Sequence, residues 1–229
     1  MPNKIIDIKN NDFKNEDSKT VVAYNIIKQN IIRNKLKPNA ILIENQLCES
    51  LKMSRTPIRN AFSMLLSDGF LHYIKNKGIF VSVINISDII EIYSIRSVLD
   101  PFIIGECLRK NKPNIYEQLK NNIESCEKAI NNNNNEKFIE QDFEFHKIYM
   151  FGSDYKILNS FLNSIMDQLL RFSFTTVGDI ERARKSVAQH RKILEAYGQK
   201  DIEKVKDCAR EHIEDIKQYY IYRNINNLL

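Results

Sequence analysis

The feature that most constrains this chain is a change of local pattern near residue 85. From Ser87 onward apolar residues recur at helical spacing, with Asn, Gly and Asp as punctuation between the runs. The spacing predicts helices at about 87–110, 114–131, 136–151, 155–175, 180–198 and 201–225. Amphipathic helices joined by such short turns bury their stripes against one another, so residues 85–229 are expected to form an antiparallel all-α bundle. The NNNNN run at 131–135 falls between two helical patterns and reads as a surface connection.

Residues 19–84 are built differently. The run TVVAYNIIKQNIIRNK predicts a helix that Pro38 and Asn39 break. ENQLCESL predicts a second, short helix. Ser54 is a suitable N-cap for a third, with Pro57 in its first turn and Gly69 just past its end. Two β-like runs follow, FLHYI and GIFVSVI, around a turn at Lys75–Gly78. Three helices and a two-stranded ribbon in that order describe a winged helix-turn-helix. The expected fold class is therefore mostly α, an N-terminal winged helix-turn-helix with a small β-wing ahead of a helical bundle. Residues 1–18, polar and aperiodic, are expected to be a flexible arm.

Charge follows the same division. Residues 19–84 hold ten basic side chains against three acidic ones, while the flanking segments are each close to neutral, so this domain carries the whole excess behind the net charge of +5. A basic domain joined to a near-neutral one points to a polyanion partner for the first and a separate task for the second. No run approaches the ~20 apolar residues of a membrane-spanning helix, and the N-terminal stretch lacks the apolar core of a signal peptide. A cytoplasmic protein is expected. Cys48, Cys107, Cys126 and Cys208 are scattered, without a C-x-x-C pair, and read as reduced, packed thiols.

The most specific motif is Ser54-Arg55-Thr56-Pro57-Ile58-Arg59. Arg55 and Arg59 are four residues apart and so project from one face at a helix N-terminus. Guanidinium groups placed there pair with phosphate or, bidentately, with guanine in the major groove, and Thr56 offers a hydroxyl or methyl contact. The stretch PNAILIENQLCESLKMSRTPIRNAFSMLLSDGFLHYIKNKGIFV resembles the N-terminal domain of the GntR superfamily of transcription factors. SDIIEIYSIRSVLDPFIIGECL resembles the opening helix of its FadR-like branch, whose all-α effector domain is called FCD. The resemblance runs from about residue 20 to 225. It implies that Arg55, Thr56, Arg59 and the wing turn Lys77-Gly78 contact an operator in double-stranded DNA. Lys75, beside that turn, is expected to touch phosphate. Asn45 and Asn60 depart from the basic residue and the glutamate common at those positions in relatives.

Three of the four histidines form a pattern in the second half. Asp142 and His146, at i and i+4, share one helix face. His190 and His212 each lie 11 residues from Asp201, which sits in the turn between two helices, so antiparallel packing brings them to similar heights. One carboxylate and three imidazoles suit a divalent ion such as zinc, nickel or manganese; core histidines satisfied by hydrogen bonds are the alternative. The resemblance favours the ion, because many FCD domains bind metal through D-x-x-x-H and two later histidines, and Asp142, His146, His190 and His212 match all four positions. Arg96 stands among apolar residues of the first bundle helix and has two readings. One is an internal salt bridge with a bundle carboxylate. The other, implied by the resemblance, is a fork for the carboxylate of a small organic acid beside the metal. Glu144, two residues from Asp142, is expected to point elsewhere. Tyr149 and Arg171 are candidates for lining a cavity, and His72 in the wing is expected to be structural or near the DNA backbone.

These readings converge on a ligand-responsive, sequence-specific repressor that binds operator DNA as a homodimer and is released by a small carboxylate. A metal sensor without organic effector is the alternative. A metal-dependent hydrolase is disfavoured, since no general base accompanies the site and the basic half would be unexplained. A structural adaptor, the remaining alternative, would hold no metal. No enzymatic activity is expected.

Overall fold

The computed structural model describes residues 16–112, 114–175 and 179–226. The chain divides into two compact units, one ending at Ile84 and the other beginning at Asn85. In the first, α1 (Glu16–Ile32) is followed by β1 (Ile41–Leu42), α2 (Glu44–Leu51), α3 (Arg55–Ser67), β2 (Leu71–Ile74) and β3 (Gly78–Val81). The expected arm, residues 1–18, lies outside the described residues except for its last three, which are already the first turn of α1. Glu and Asp there favour a helix N-terminus.

The ribbon is also wider than expected. β1 pairs antiparallel with β3, Ile41 opposite Phe80, and makes a three-stranded sheet in the order β1-β3-β2. Two residues are too few to show a period of two, which is why this strand leaves no pattern in the sequence. Gly69 does end α3 as expected. Its φ is +75°, its N–H donates to Leu66 and the N–H of Phe70 donates to Leu65, the double closure of a Schellman motif. Ser54 occupies the N-cap position with extended backbone, but its hydroxyl makes no capping bond. Ile27, Ile31, Leu47, Ile58, Leu65, Phe70 and Val81 form the core beneath these elements.

The second unit is an all-α bundle of α4 (Ile86–Arg109), α5 (Ile115–Asn131), α6 (Asn135–Gly152), α7 (Lys156–Thr175), α8 (Ile180–Gly198) and α9 (Ile202–Ile225). α4 packs most extensively on α9, α5 on α6, and α8 on both α9 and α5. Three caps fix where the site-bearing helices begin. Asn134, from the asparagine run, accepts from the N–H of Lys137; Asp179 accepts from Arg182; Asp201 accepts from Lys204. Each such cap contributes ~1 kcal/mol. With the starts of α6, α8 and α9 fixed, their inward side chains keep a constant register.

Candidate metal centre and DNA-reading surface

Helices α6, α8 and α9 bring His146, His190 and His212 together in the middle of the bundle. Nε2 of His212 lies 3.1 Å from Nε2 of His190 and 3.3 Å from Nε2 of His146. All three rings are buried, and together they form a cluster able to hold a metal ion. Burial pushes each imidazole toward its neutral form. His146 is lowered to about 4, first by desolvation and then by the nearby Arg96, and His190 and His212 are held well below the usual range by desolvation and the neighbouring histidines.

The other ring nitrogens fix the tautomers. Asp100, deprotonated, accepts the Tyr149 hydroxyl at 2.7 Å, so the tyrosine oxygen accepts in turn from Nδ1–H of His146, also at 2.7 Å. His146 Nδ1 also lies 3.4 Å from Asp100, but the shorter path runs through Tyr149. The Gln189 amide donates to Asp215, which turns its Oε1 toward Nδ1–H of His212 at 2.9 Å. His146 and His212 therefore present bare Nε2 lone pairs to each other. A neutral His190 has a single proton and cannot satisfy both. A shared cation would. Two nitrogens each ~2.0–2.1 Å from one tetrahedral ion lie ~3.4 Å apart, close to the spacings found here.

Asp142, one turn before His146, places Oδ1 3.9 Å from Nε2 of His190. That is beyond hydrogen-bonding reach, and with His190 neutral it is not an ion pair. Asp142 Oδ1 and His190 Nδ1 are both buried without a hydrogen-bond partner. Desolvation raises the Asp142 carboxyl to about 6, against the attraction of Arg182 and Arg96. An orphaned carboxylate oxygen beside three converging imidazoles fits the donor set of a divalent ion. The three histidines thus lie together, with Asp142 beside His190 but outside their cluster.

Arg96, close enough to Asp142 and the histidines to act on their charge, is engaged within its own helix. Its guanidinium is 1% exposed and grips Asp100, one turn further along α4, with Nη2 2.7 Å from Oδ2. Burial alone would raise Asp100, yet Arg96 and His146 hold it at about 2. This is the internal salt bridge, and Arg96 is not among the residues lining a bundle cavity of about 90 Å3 beside Asp142. Tyr93, Asp142, Arg182, Ser186, Tyr219 and Tyr220 are among those that do. Arg182, Asp100 and Gln189 were not singled out by sequence reasoning. The i, i+4 spacing of Arg96 and Asp100 was a signal for their pairing; nothing local marks Arg182 or Gln189. Arg171 is buried and does not line that cavity, and Glu144 is exposed.

In the other unit, Arg55, Thr56 and Arg59 are exposed on α3 while Pro57 and Ile58 turn into the core. Glu44, the first residue of α2, lies between the two arginines, its carboxylate 2.7 Å from Nε of Arg59 and 3.7 Å from Nε of Arg55. Lys75 and Lys77 are exposed at the wing tip, where Asn76 and Gly78 have positive φ and Ile74 pairs with Gly78. His72 stacks on Phe80 within the sheet, ring centroids 5.8 Å apart.

Comparison with known proteins agrees with this architecture. Residues 19–81 match the family model of bacterial regulatory proteins of the gntR family, and residues 91–215 match the FCD domain. The HTH-type transcriptional regulator YdhC of Bacillus subtilis is 29% identical over 180 residues, 77% of this chain and 78% of that protein. The gluconate operon transcriptional repressor of Bacillus licheniformis is 25% identical, over 80% of this chain and 69% of its own. Among solved structures, a transcriptional regulator GntR from Rhodococcus sp. RHA1 superposes with a TM-score of 0.78 at 20% identity, covering 89% of this chain and 98% of that one. Since the FCD match alone spans more than half of the 229 residues and the helix-turn-helix match lies ahead of it, the chain belongs to the gntR family of bacterial regulatory proteins, with an FCD domain as its helical unit.

Proposed function

We propose that this DNA-binding regulator is a cytoplasmic repressor that binds an inverted-repeat operator as a homodimer and answers to a ligand at a metal site. In this reading Arg55 and Arg59 read bases, Thr56 and Gly78 sit against the operator, and Lys75 and Lys77 touch phosphate. Asp142, His146, His190 and His212 hold one divalent ion, of the zinc, nickel or manganese class. When bound, the ion supplies a positive charge and open coordination positions for an oxygen ligand. The observation that carries the metal is the meeting of the bare Nε2 lone pairs of His146 and His212 at 3.3 Å, with Nε2 of His190 3.1 Å from His212 and an orphaned carboxylate oxygen nearby. The exposed arginines on α3 support the DNA contacts, and the printed role of the gluconate operon repressor supports repression. No described helix is long and apolar enough to cross a membrane.

A second reading, a metal sensor without organic effector, is favoured by the Arg96–Asp100 pair, which fills the expected carboxylate fork from within. Elemental analysis of the purified protein tests the metal: wild type carries about one ion per chain and His190→Ala loses it. Full metal occupancy in His190→Ala would sink the four-ligand site. Anisotropy of labelled operator, selected from random DNA, then separates the two readings. Release by small acids at constant metal supports the effector, and release only on adding or removing metal supports the sensor.

A further inference from the structure

His146 and His212 are each held from behind, and both lines of support end on a carboxylate. Behind His146 stand Tyr149 and then Asp100, gripped by Arg96. Behind His212 stand Gln189 on α8 and then Asp215, three residues past His212 on α9. The first line is sealed in the core. The second runs outward, to a carboxylate that is 28% exposed.

A glutamine amide has an oxygen at one end and an NH2 at the other, so its direction matters to whatever it faces. A carboxylate can only accept. Asp215 Oδ2, 3.1 Å from Nε2 of Gln189, therefore draws the NH2 end outward and leaves Oε1 facing Nδ1 of His212 at 2.9 Å. With the amide reversed, its NH2 would meet Nδ1 and require that nitrogen to accept. The proton of a neutral His212 would then sit on Nε2, which lies 3.1 Å from His190 and 3.3 Å from His146. A nitrogen protonated there has no lone pair to offer an ion. The direction of one amide thus decides whether His212 is a ligand. Asp215 is itself fixed by two cations from the helix that carries Gln189, Arg182 at Oδ2 and Lys185 at Oδ1, each at 2.5 Å.

We propose that Asp215 is a positioning residue for the metal centre: through Gln189 it holds His212 in the tautomer that binds an ion. The inference rests on the metal-binding reading and extends it from the four ligand residues to the outer face of α8 and α9. It gives Arg182 and Lys185 the task of fixing that carboxylate.

Two readouts on the full chain test it. In the chelated protein, 15N NMR of the four histidine rings reports which nitrogen carries each proton. In the zinc-loaded protein, a competing chromogenic chelator reports affinity. Wild type is expected to show Nδ1–H for both His146 and His212. Asp215→Asn keeps the shape but can offer Gln189 either a donor or an acceptor. His212 is then expected to become a mixture of tautomers and zinc to bind about 10-fold more weakly, while His146, held by Tyr149, keeps its tautomer. Asp215→Asn/Gln189→Glu moves the carboxylate next to the ring, where it accepts from Nδ1–H whichever way it turns. This double variant is expected to restore the Nδ1–H tautomer and at least wild-type zinc affinity, a rescue that a merely structural role of Asp215 would not allow. A proton on Nε2 of His212 in wild type overturns the proposal, and that measurement needs no variant to fold. Wild-type tautomer and affinity in Asp215→Asn overturn it too, as does a double variant that binds zinc no better than Asp215→Asn. If wild type shows Nδ1–H at His212 but binds no zinc, the metal reading is what fails, and the positioning role falls with it.

Discussion

Arg59 and Arg96 each meet a carboxylate at 2.7 Å, and the two pairs have opposite consequences. Arg59 on α3 holds Glu44 at the surface, with side chains 64% and 25% exposed; Arg96 on α4 holds Asp100 at 1% and 0%. An exposed pair stabilises by ~0–1 kcal/mol, because water and salt compete for both partners. It can be exchanged for a phosphate or a guanine at little loss. A buried pair cannot be exchanged, because removing either partner strands a charge in the interior at a cost of ~3–5 kcal/mol. The same contact therefore makes one arginine available to a partner and withdraws the other from use. Availability of this kind is decided by burial and not by residue type.

The sharpest way to break this comparison is Asp100→Asn. It leaves Arg96 buried without its counter-charge and is expected to cost ~3–5 kcal/mol in urea unfolding of the metal-free protein. A loss below about 1 kcal/mol would mean that the buried pair behaves like a surface one. The variant should also loosen His146, whose Nδ1 is oriented through Tyr149 by that same carboxylate. A displaced second partner of a metal-bound histidine lowers metal affinity ~10- to 100-fold, which a competing chromogenic chelator measures.

Next in size is the pH response of the chelated protein. His146 has its pKa lowered from 6.5 to about 4 by burial. Between those values the unfolded chain binds a proton that the folded chain refuses, so stability is lost as pH falls through that window. That shift corresponds to ~3 kcal/mol from this residue. His190 and His212 act in the same direction. Asp142 acts in the opposite one, since its pKa is raised from 3.8 to about 6 and the folded protein takes up its proton first. Three groups against one give a net loss of stability on acidification, read as a falling melting temperature from about pH 6.5 to 4. A flat profile would show the histidines to be solvated.

The comparison also explains what was legible in the sequence. Helix α2 lies over the very residues its pattern marks, Glu44–Leu51, because apolar spacing and turn chemistry are local properties. Asp142 could be set one turn from His146 by i, i+4 spacing, and His190 level with His212 by equal distance from a turn, because both relations survive folding. The choice between fork and bridge at Arg96 could not be made, because burial depends on which helix covers α4, here mainly α9. Arg182 left no signal for the same reason: its cavity is walled by residues as distant in the chain as Tyr93 and Tyr220. β1 was missed for lack of length.

At the DNA-reading surface, smaller effects separate specific from general contacts. Arg59→Ala is expected to cost ~1–3 kcal/mol on the cognate operator and to relax preference at the base it reads. Lys77→Ala is expected to weaken all sequences alike and to lower the slope of log affinity against log salt by about one. Anisotropy titrations over a salt series distinguish them. Interchanged behaviour would move base reading from α3 to the wing.

The smallest expected effect on stability is also the most direct test of the contrast. Glu44→Gln removes the carboxylate from both Arg55 and Arg59, formally breaking two ion pairs, yet it should change unfolding free energy by less than ~1 kcal/mol. Its effect should be on DNA instead. Glu44 engages each arginine through Nε, which leaves the Nη groups free and holds the two guanidiniums near each other. In the proposed reading, that arrangement preorganises the forks for bases while cancelling part of the positive charge that attracts any phosphate. Without Glu44, the arginines gain freedom and the surface becomes more basic. Binding to random-sequence DNA should therefore strengthen slightly, and the ratio of operator to random affinity should fall. Anisotropy with both DNAs at one salt concentration measures that ratio. A rise in the ratio would identify Glu44 as a competitor that DNA must displace, and not as the support that positions the reading side chains.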